Sequence, residues 1–221
     1  MSKIYQPITI KSVTFKNRIG MSPMCQYSAV NGFTNDWHLV HYGTRAVGGA
    51  GLIMVEATSV SADGRITASD LGLWNDTQIV GLQKLTNFIH QHGAIAGIQI
   101  AHAGRKASHD VPSNGGNQLS VSEGGWNTVA PSALPFESTE IAPDELNKSE
   151  IITIVEQFRA TALRANQAGF KVLEIHAAHG YLIHEFYSPL SNQRTDEYGG
   201  SFKNRIRLLL EIISAVQSVW P

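Results

Sequence analysis

Apolar positions along the chain fall into two kinds of run: short ones of strand length, and longer ones in which apolar residues recur every three or four places. "NRIGMSPM" (17–24) reads as a strand, "NDWHLVHYGTRAV" (35–47) as a helix and "GLIMVEAT" (51–58) as a second strand. Asn75 or Asp76 then caps a helix that carries Ile79, Leu82, Leu85 and Ile89 on one face and ends at Gly93. A third strand is "AIAGIQIAH" (94–102). Asn147 and Glu150 have capping-box spacing ahead of Ile151, Ile154, Val155, Phe158, Ala162 and Ala165, and Gly169 closes that helix. The fourth strand is "FKVLEIHA" (170–177), and a fourth helix presents Ile206, Leu209, Leu210, Ile213 and Val216.

Strands that are apolar at nearly every position and alternate with helices predict an α/β fold with a parallel sheet, either doubly wound or a (β/α) barrel of the TIM type. Polar residues help to choose. Gln99 shares a strand face with Gly97 and Ile95, and His176 shares one with Glu174 and Val172. Both strands thus set polar groups near their C-terminal ends, where barrel enzymes keep their active sites. The segment from Ala103 to Asp144, rich in Gly, Ser, Asn and Pro, is too long for a plain connection and is expected to be a functional lid or disordered. No repeat or linker divides the chain, so residues 1–221 are expected to form a single domain.

Composition narrows the classes. Of 221 residues, 43% are hydrophobic and 16% charged, as in ordinary globular proteins. A net charge of -1 without a dense Lys/Arg cluster argues against nucleic acid as a partner. No apolar run approaches the roughly 20 residues that span a bilayer, so no membrane partner is expected. The single cysteine, Cys25, and the absence of a secretory signal at "MSKIYQPITI" fit the cytoplasm.

The stretch "EIHAAHGYLIHEF" (174–186) concentrates the candidate chemistry. One reading is a metal site built from His176, His179, His184, Glu174 and Glu185, but no HExxH is present and Cys25 has no CxxC partner. A second is a set of hydrogen-bonded histidines at a strand end. In a third, two imidazoles converge on a substrate oxygen while the phenol of Tyr181 delivers a proton to a carbanion. That suits reduction of a polarised double bond, in which donors at the developing oxyanion are each worth roughly 3 kcal/mol. No side chain supplies hydride, so this reading requires a redox cofactor.

"MSPMCQYSA", "DWHLVHY", "GLIMVEATSVSADGRIT", "GIQIAHAGRKA" and "EIHAAHGYLIHEFYSPLSNQRTDEYGGSFKNR" together resemble the Old Yellow Enzyme family of flavoproteins, specifically its thermophilic-like ene-reductase branch. The resemblance covers almost the whole chain. It implies FMN as cofactor, NAD(P)H as reductant and an α,β-unsaturated carbonyl compound as substrate. By resemblance, Ser22, Pro23, Met24 and Cys25 line the FMN ring, Cys25 tunes its potential, Ala57 meets the flavin edge through its backbone and Gln99 bonds the flavin pyrimidine. His176 and His179 hold the substrate carbonyl, His176 also facing the cofactor; Tyr27 contacts the substrate and Tyr181 protonates it. The alternative for Cys25 is a buried small hydrophobe, and for Gln99 an amide satisfied by neighbouring barrel groups. Arg105 and Lys106, at a strand's C-terminal end, are placed to meet a phosphate or a substrate, but solvated loop charges are the commoner outcome for such residues.

The family's barrels have eight strands, and this sequence supplies the N-terminal four strand-helix units. By resemblance, the arginine of a fifth strand and the phosphate-binding loops after strands seven and eight have no counterpart here. An open four-stranded parallel sheet leaves unpaired edges, so the chain is expected to associate with itself or with a completing chain, and to bind FMN weakly alone.

Overall fold

The computed structural model describes residues 2–221. A hairpin of β1 (Ile8–Ile10) and β2 (Val13–Phe15) opens the chain, followed by β3 (Gly20–Met21), α1 (Asp36–Val47) and β4 (Leu52–Ser59). Then come α2 (Ile79–Gln91), β5 (Ile95–Ala101), the two-residue strands β6 (Val129–Ala130) and β7 (Asp144–Glu145), and α3 (Lys148–Gln167). The chain finishes with β8 (Val172–Ile175), α4 (Leu182–Tyr187), α5 (Phe202–Arg205) and α6 (Arg207–Gln217).

The main sheet is parallel, in the order β3-β4-β5-β8. This order follows the chain without reversal, which is how a (β/α) barrel winds; a doubly wound sheet reverses. Ile53, Val55, Ala96, Ile98 and Ile100 face the helices and join Leu82, Leu85 and Ile89 of α2 and Ile151, Ile154 and Phe158 of α3 in one core. Each such side chain contributes about 1.5–3 kcal/mol by leaving water.

Local signals set the helix ends. Asn147 Oδ1 accepts from the Glu150 amide at 3.0 Å while Glu150 Oε2 accepts from the Asn147 amide at 2.7 Å, the expected reciprocal cap of α3. A short 3-10 turn, Asp76–Gln78, capped by Asn75, leads into α2. Gly93 and Gly169 follow α2 and α3 with φ of +70° and +92°, a left-handed backbone that a Cβ would strain.

Four expectations need correction. The first strand of the sheet forms its ladder only at Gly20–Met21: residues 17–18 bend, the Ile19 carbonyl accepts from the Gly51 and Leu52 amides at 2.8 and 3.2 Å, and 22–24 lie outside the ladder. The fourth helix is interrupted at Ile206, and its face is rotated: Leu208 and Ile212 are buried with Val216, while Leu210 is 51% exposed. Of the two readings of residues 103–144, disorder is the one that fails: the segment is an ordered strap containing three 3-10 turns and the β6–β7 pairing. Arg105 and Lys106 are partly buried and engaged: Arg105 Nη1 donates to the carbonyls of Leu134 and Pro135 at 3.1 and 3.0 Å, and so ties the strap down.

Candidate active site

The sheet face opposite the helices carries residues in layers. Met54 pairs in register with Gly97, and Gly97 with Val172. The next layer is Ala57, Gln99 and Glu174, and His176 stands beyond it. Gly97 leaves room here for the Met54 sulfur, which a Cβ would displace. Gln99 Nε2 donates to Glu174 Oε1 at 2.5 Å, so part of the buried amide is satisfied across the strands.

A β-bulge at Glu56 makes this layering possible. Register jumps from Val55↔Ile98 to Ala57↔Gln99, leaving Glu56 as the extra residue. Glu56 therefore turns toward α1, where Tyr42 Oη donates to its Oε1 at 3.1 Å, and Ala57 regains the inner face.

After β8 the chain reverses through His179 (φ +59°) and Gly180 (φ +77°), and the Tyr181 amide donates to the Ala178 carbonyl at 3.2 Å. This turn brings three rings together. His176 meets His179 edge-on at a centroid distance of 5.1 Å and Tyr181 edge-on at 5.0 Å. Among the described residues, His179 is one of five non-glycine residues with left-handed φ, and Tyr27 (φ +49°) is another. Such strain concentrates where surrounding structure holds a group in place.

The protonation pattern follows from the surroundings. His176 Nδ1 accepts from the Ala178 amide at 3.3 Å, so the ring proton resides on Nε2 as a free donor. Burial, with His179 next, lowers the His176 pKa and keeps the ring neutral. Burial, then the neighbouring Cys25, Tyr27 and Asp70, raises the Tyr181 pKa, so its phenol keeps its proton. Burial with the charges of Asp70 and Glu56 pushes the Cys25 thiol up to about 12, against the opposing pull of the Ala57 backbone and the Tyr27 phenol. Tyr27 is itself pushed up to about 12 by burial and Cys25. Both groups are neutral hydrogen-bonding atoms at pH 7.

The other candidates occupy the same side. Ser22, Pro23 and Met24 follow β3, with Ser22 and Met24 exposed. Tyr27 lines a cavity of about 590 Å³ beneath the strap, together with Thr67, Lys106, His109 and Phe136. Lys106 was set aside at the level of sequence, yet it joins cavity to rings: its Nζ donates to the His179 carbonyl at 3.1 Å and lies 5.1 Å from the Tyr181 ring centroid. His184 Nδ1 accepts from the Gly180 amide at 2.8 Å and braces the His179–Gly180 turn, while buried Glu185 Oε1 accepts from the Arg105 amide at 3.0 Å and braces the turn after β5. Glu56 was also overlooked, although a carboxylate inside an apolar strand signals a specific partner.

These residues suit a flat cofactor. The register neighbours Ala57 and Gln99 are small or amide-bearing, and one Gln99 N–H and its carbonyl remain outside the bond to Glu174, an acceptor and donor pair that a flavin pyrimidine matches. No helix among the described residues is long and apolar enough to cross a membrane.

Comparison with known proteins agrees with this architecture. An NADPH dehydrogenase of Bacillus cytotoxicus is 52% identical over 222 residues, covering 99% of this chain and 60% of the relative, so the chain spans about three-fifths of that protein's length. The fold superimposes on morphinone reductase, solved with tetrahydroNAD, with a TM-score of 0.86 at 33% identity, covering 100% of this chain and 61% of the other. It superimposes on an Old Yellow Enzyme from a Pichia species with a TM-score of 0.87 at 30% identity, covering 98% and 56%. The sequence profile of one family matches residues 3–220. The chain therefore belongs to the NADH:flavin oxidoreductase / NADH oxidase family.

Proposed function

We propose that the protein works as an FMN-dependent ene-reductase that uses NAD(P)H to reduce the C=C bond of α,β-unsaturated carbonyl compounds, with residues 1–221 acting as one domain of the barrel. The observation that carries this reading is the convergence of His179 and Tyr181 on His176, at ring distances of 5.1 and 5.0 Å. FMN, when bound, supplies hydride that originates from NAD(P)H. Ser22, Pro23, Met24, Cys25, Ala57, Gln99 and His176 are the residues that would hold its ring. We assign none of the described residues to its phosphate.

The chain's own groups then do three things. The Nε2–H of neutral His176, with His179, donates to the substrate carbonyl oxygen and favours the charge that builds there during reduction. Tyr27, at the cavity, contacts the body of the substrate. Tyr181 delivers its proton to the α-carbon; its raised pKa makes it a donor only to a strongly basic centre, which a carbanion is.

Replacing Tyr181 by Phe tests this directly in stopped-flow measurements of the two half-reactions. Enone reduction slows by about 100-fold or more, the usual worth of a positioned acid, while cofactor reduction by NAD(P)H is unchanged. Equal slowing of both steps, or of neither, removes the role.

A second reading, a half-barrel that turns over only with a completing chain or copy, draws on the sheet order, in which β8 pairs with β5 on one side alone. Mixing the chain with FMN, NADPH and 2-cyclohexenone separates the two by whether NADPH absorbance falls.

A further inference from the structure

Behind the sheet, Glu56 occupies the centre of a closed set of contacts. It is 1% exposed, between His38 at 1% and Tyr42 at 0%. Tyr42 Oη donates to Glu56 Oε1 at 3.1 Å and accepts from the Glu56 amide at 3.0 Å, so one phenol braces both ends of the bulged residue. His38 Nδ1 lies 3.1 Å from the Asn35 amide and 3.0 Å from Asn35 Oδ1, and its Nε2 stands 3.3 Å from Glu56 Oε1, off-axis for a full hydrogen bond. The second oxygen points elsewhere: Oε2 accepts from the Gln26 amide at 2.6 Å.

Gln26 lies between Cys25 and Tyr27, and Tyr27 holds a left-handed backbone at φ +49°. A non-glycine residue keeps that strained conformation only where neighbouring contacts outweigh its cost. The bond from the Gln26 amide to a buried carboxylate is such a contact, and it is charge-assisted, hence among the stronger ones. The carboxylate in turn is fixed by α1 and by the bulge of β4. A connected path thus runs from the back of the barrel, through Glu56, to the two side chains flanking Gln26.

We propose that Glu56 is a positioning residue: held by Tyr42 and flanked by His38, it anchors the Gln26 amide and thereby sets where the Cys25 thiol and the Tyr27 phenol present themselves at the site. Its consequence for the substrate rests on the role given to Tyr27 above; its consequence for the segment does not. The groups facing the anchor are His38, His41 and Tyr42 from α1, Cys25 and Tyr27 from the segment after β3, and Asp70 from the loop after β4. Asp70 is satisfied within its own loop by Thr67 Oγ1 and the Ile66 amide at 2.8 and 2.7 Å, which leaves Glu56 as the carboxylate bonded to this segment.

Cys25 is the sequence's single cysteine, so its alkylation reports on this segment alone. The test compares the purified protein with its Glu56→Gln variant in two assays: iodoacetamide alkylation as a function of pH, and hydrogen exchange of the peptide spanning residues 24–28. With the carboxylate charge removed, the alkylation profile moves to lower pH, and exchange of the peptide rises at least tenfold while α2 and α3 keep their protection. If neither the profile nor the exchange moves, the proposal is overturned. Should Glu56→Gln lose protection everywhere, Glu56→Asp decides, since it keeps the charge and withdraws the oxygens by one methylene. Faster exchange of residues 24–28 in that variant supports the anchor, and unchanged exchange overturns it. If both readouts move while the enone KM stays constant, the anchor stands and the substrate role of Tyr27 falls.

Discussion

Lys106 Nζ donates a hydrogen bond to the backbone carbonyl of His179 at 3.1 Å, joining residues 73 positions apart. The same ammonium lies 5.1 Å from the Tyr181 ring centroid and 4.5 Å from that of Phe136. A residue on the turn after β5 thus holds the turn after β8 in its left-handed form and covers the phenol expected to give up the proton.

Lys106→Met removes the donor while keeping the length of the side chain. A hydrogen bond from a charged group is worth about 1.5–3 kcal/mol, less where water reaches it, so under the proposed function the enone KM rises about tenfold with little change in cofactor reduction. Lys106→Gln, which keeps an N–H donor, recovers part of the loss. Steady-state kinetics with one enone at saturating NADPH reads both variants.

His102 gives the fold a pH dependence of defined sign. It is 3% exposed, and its Nδ1 accepts from the Gly104 amide at 3.0 Å. Burial lowers its pKa to about 4. A depressed folded-state pKa means that the stability is present above the ordinary histidine value and is lost as pH falls through about 4. The full loss is about 3 kcal/mol from the size of this shift. Denaturant midpoints at pH 7 and pH 4.5 differ by less in His102→Asn, whose side-chain oxygen can still accept from Gly104.

Gln99→Leu keeps volume but removes the amide that faces Glu174. Under the proposed function, FMN affinity measured by fluorescence quenching falls at least tenfold. The structural cost is the unpaired Glu174 oxygen, which is exposed to water and therefore small.

The rotated face of α6 predicts unequal costs for two neighbouring leucines. Leu208→Ala, at a fully buried site, destabilises by about 2–5 kcal/mol. Leu210→Ala, half exposed, stays within about 1 kcal/mol in the same urea titration.

The sequence was most informative where one local rule acted alone. The spans read as 51–58 and 94–102 match β4 and β5 to within one residue at each end, and the Asn147–Glu150 box is formed. Histidines three apart followed by a tyrosine do meet, because the strand end and the His179–Gly180 reversal fold them onto one another. Tertiary geometry hid the rest. The β1–β2 hairpin turns at Lys11, whose φ of +52° no glycine or asparagine announces. For α6 the apolar positions 208, 209, 212, 213 and 216 form too broad an arc to fix the rotation, and the break at Ile206 resets it. Lys106 could not be told from a solvated cation without knowing that residue 179 would come to lie beside it.

The bulge at Glu56 also changes the parity of β4 partway along its length. Upstream of it the even-numbered Met54 looks inward, and downstream the odd-numbered Ala57 does, so the two halves of one strand keep opposite parity and any two-residue amphipathic signal cancels across the join. Deleting position 56 would restore strict alternation and swap the face of every residue on one side of the deletion, so the site tolerates point substitutions in β4 far better than a change of length.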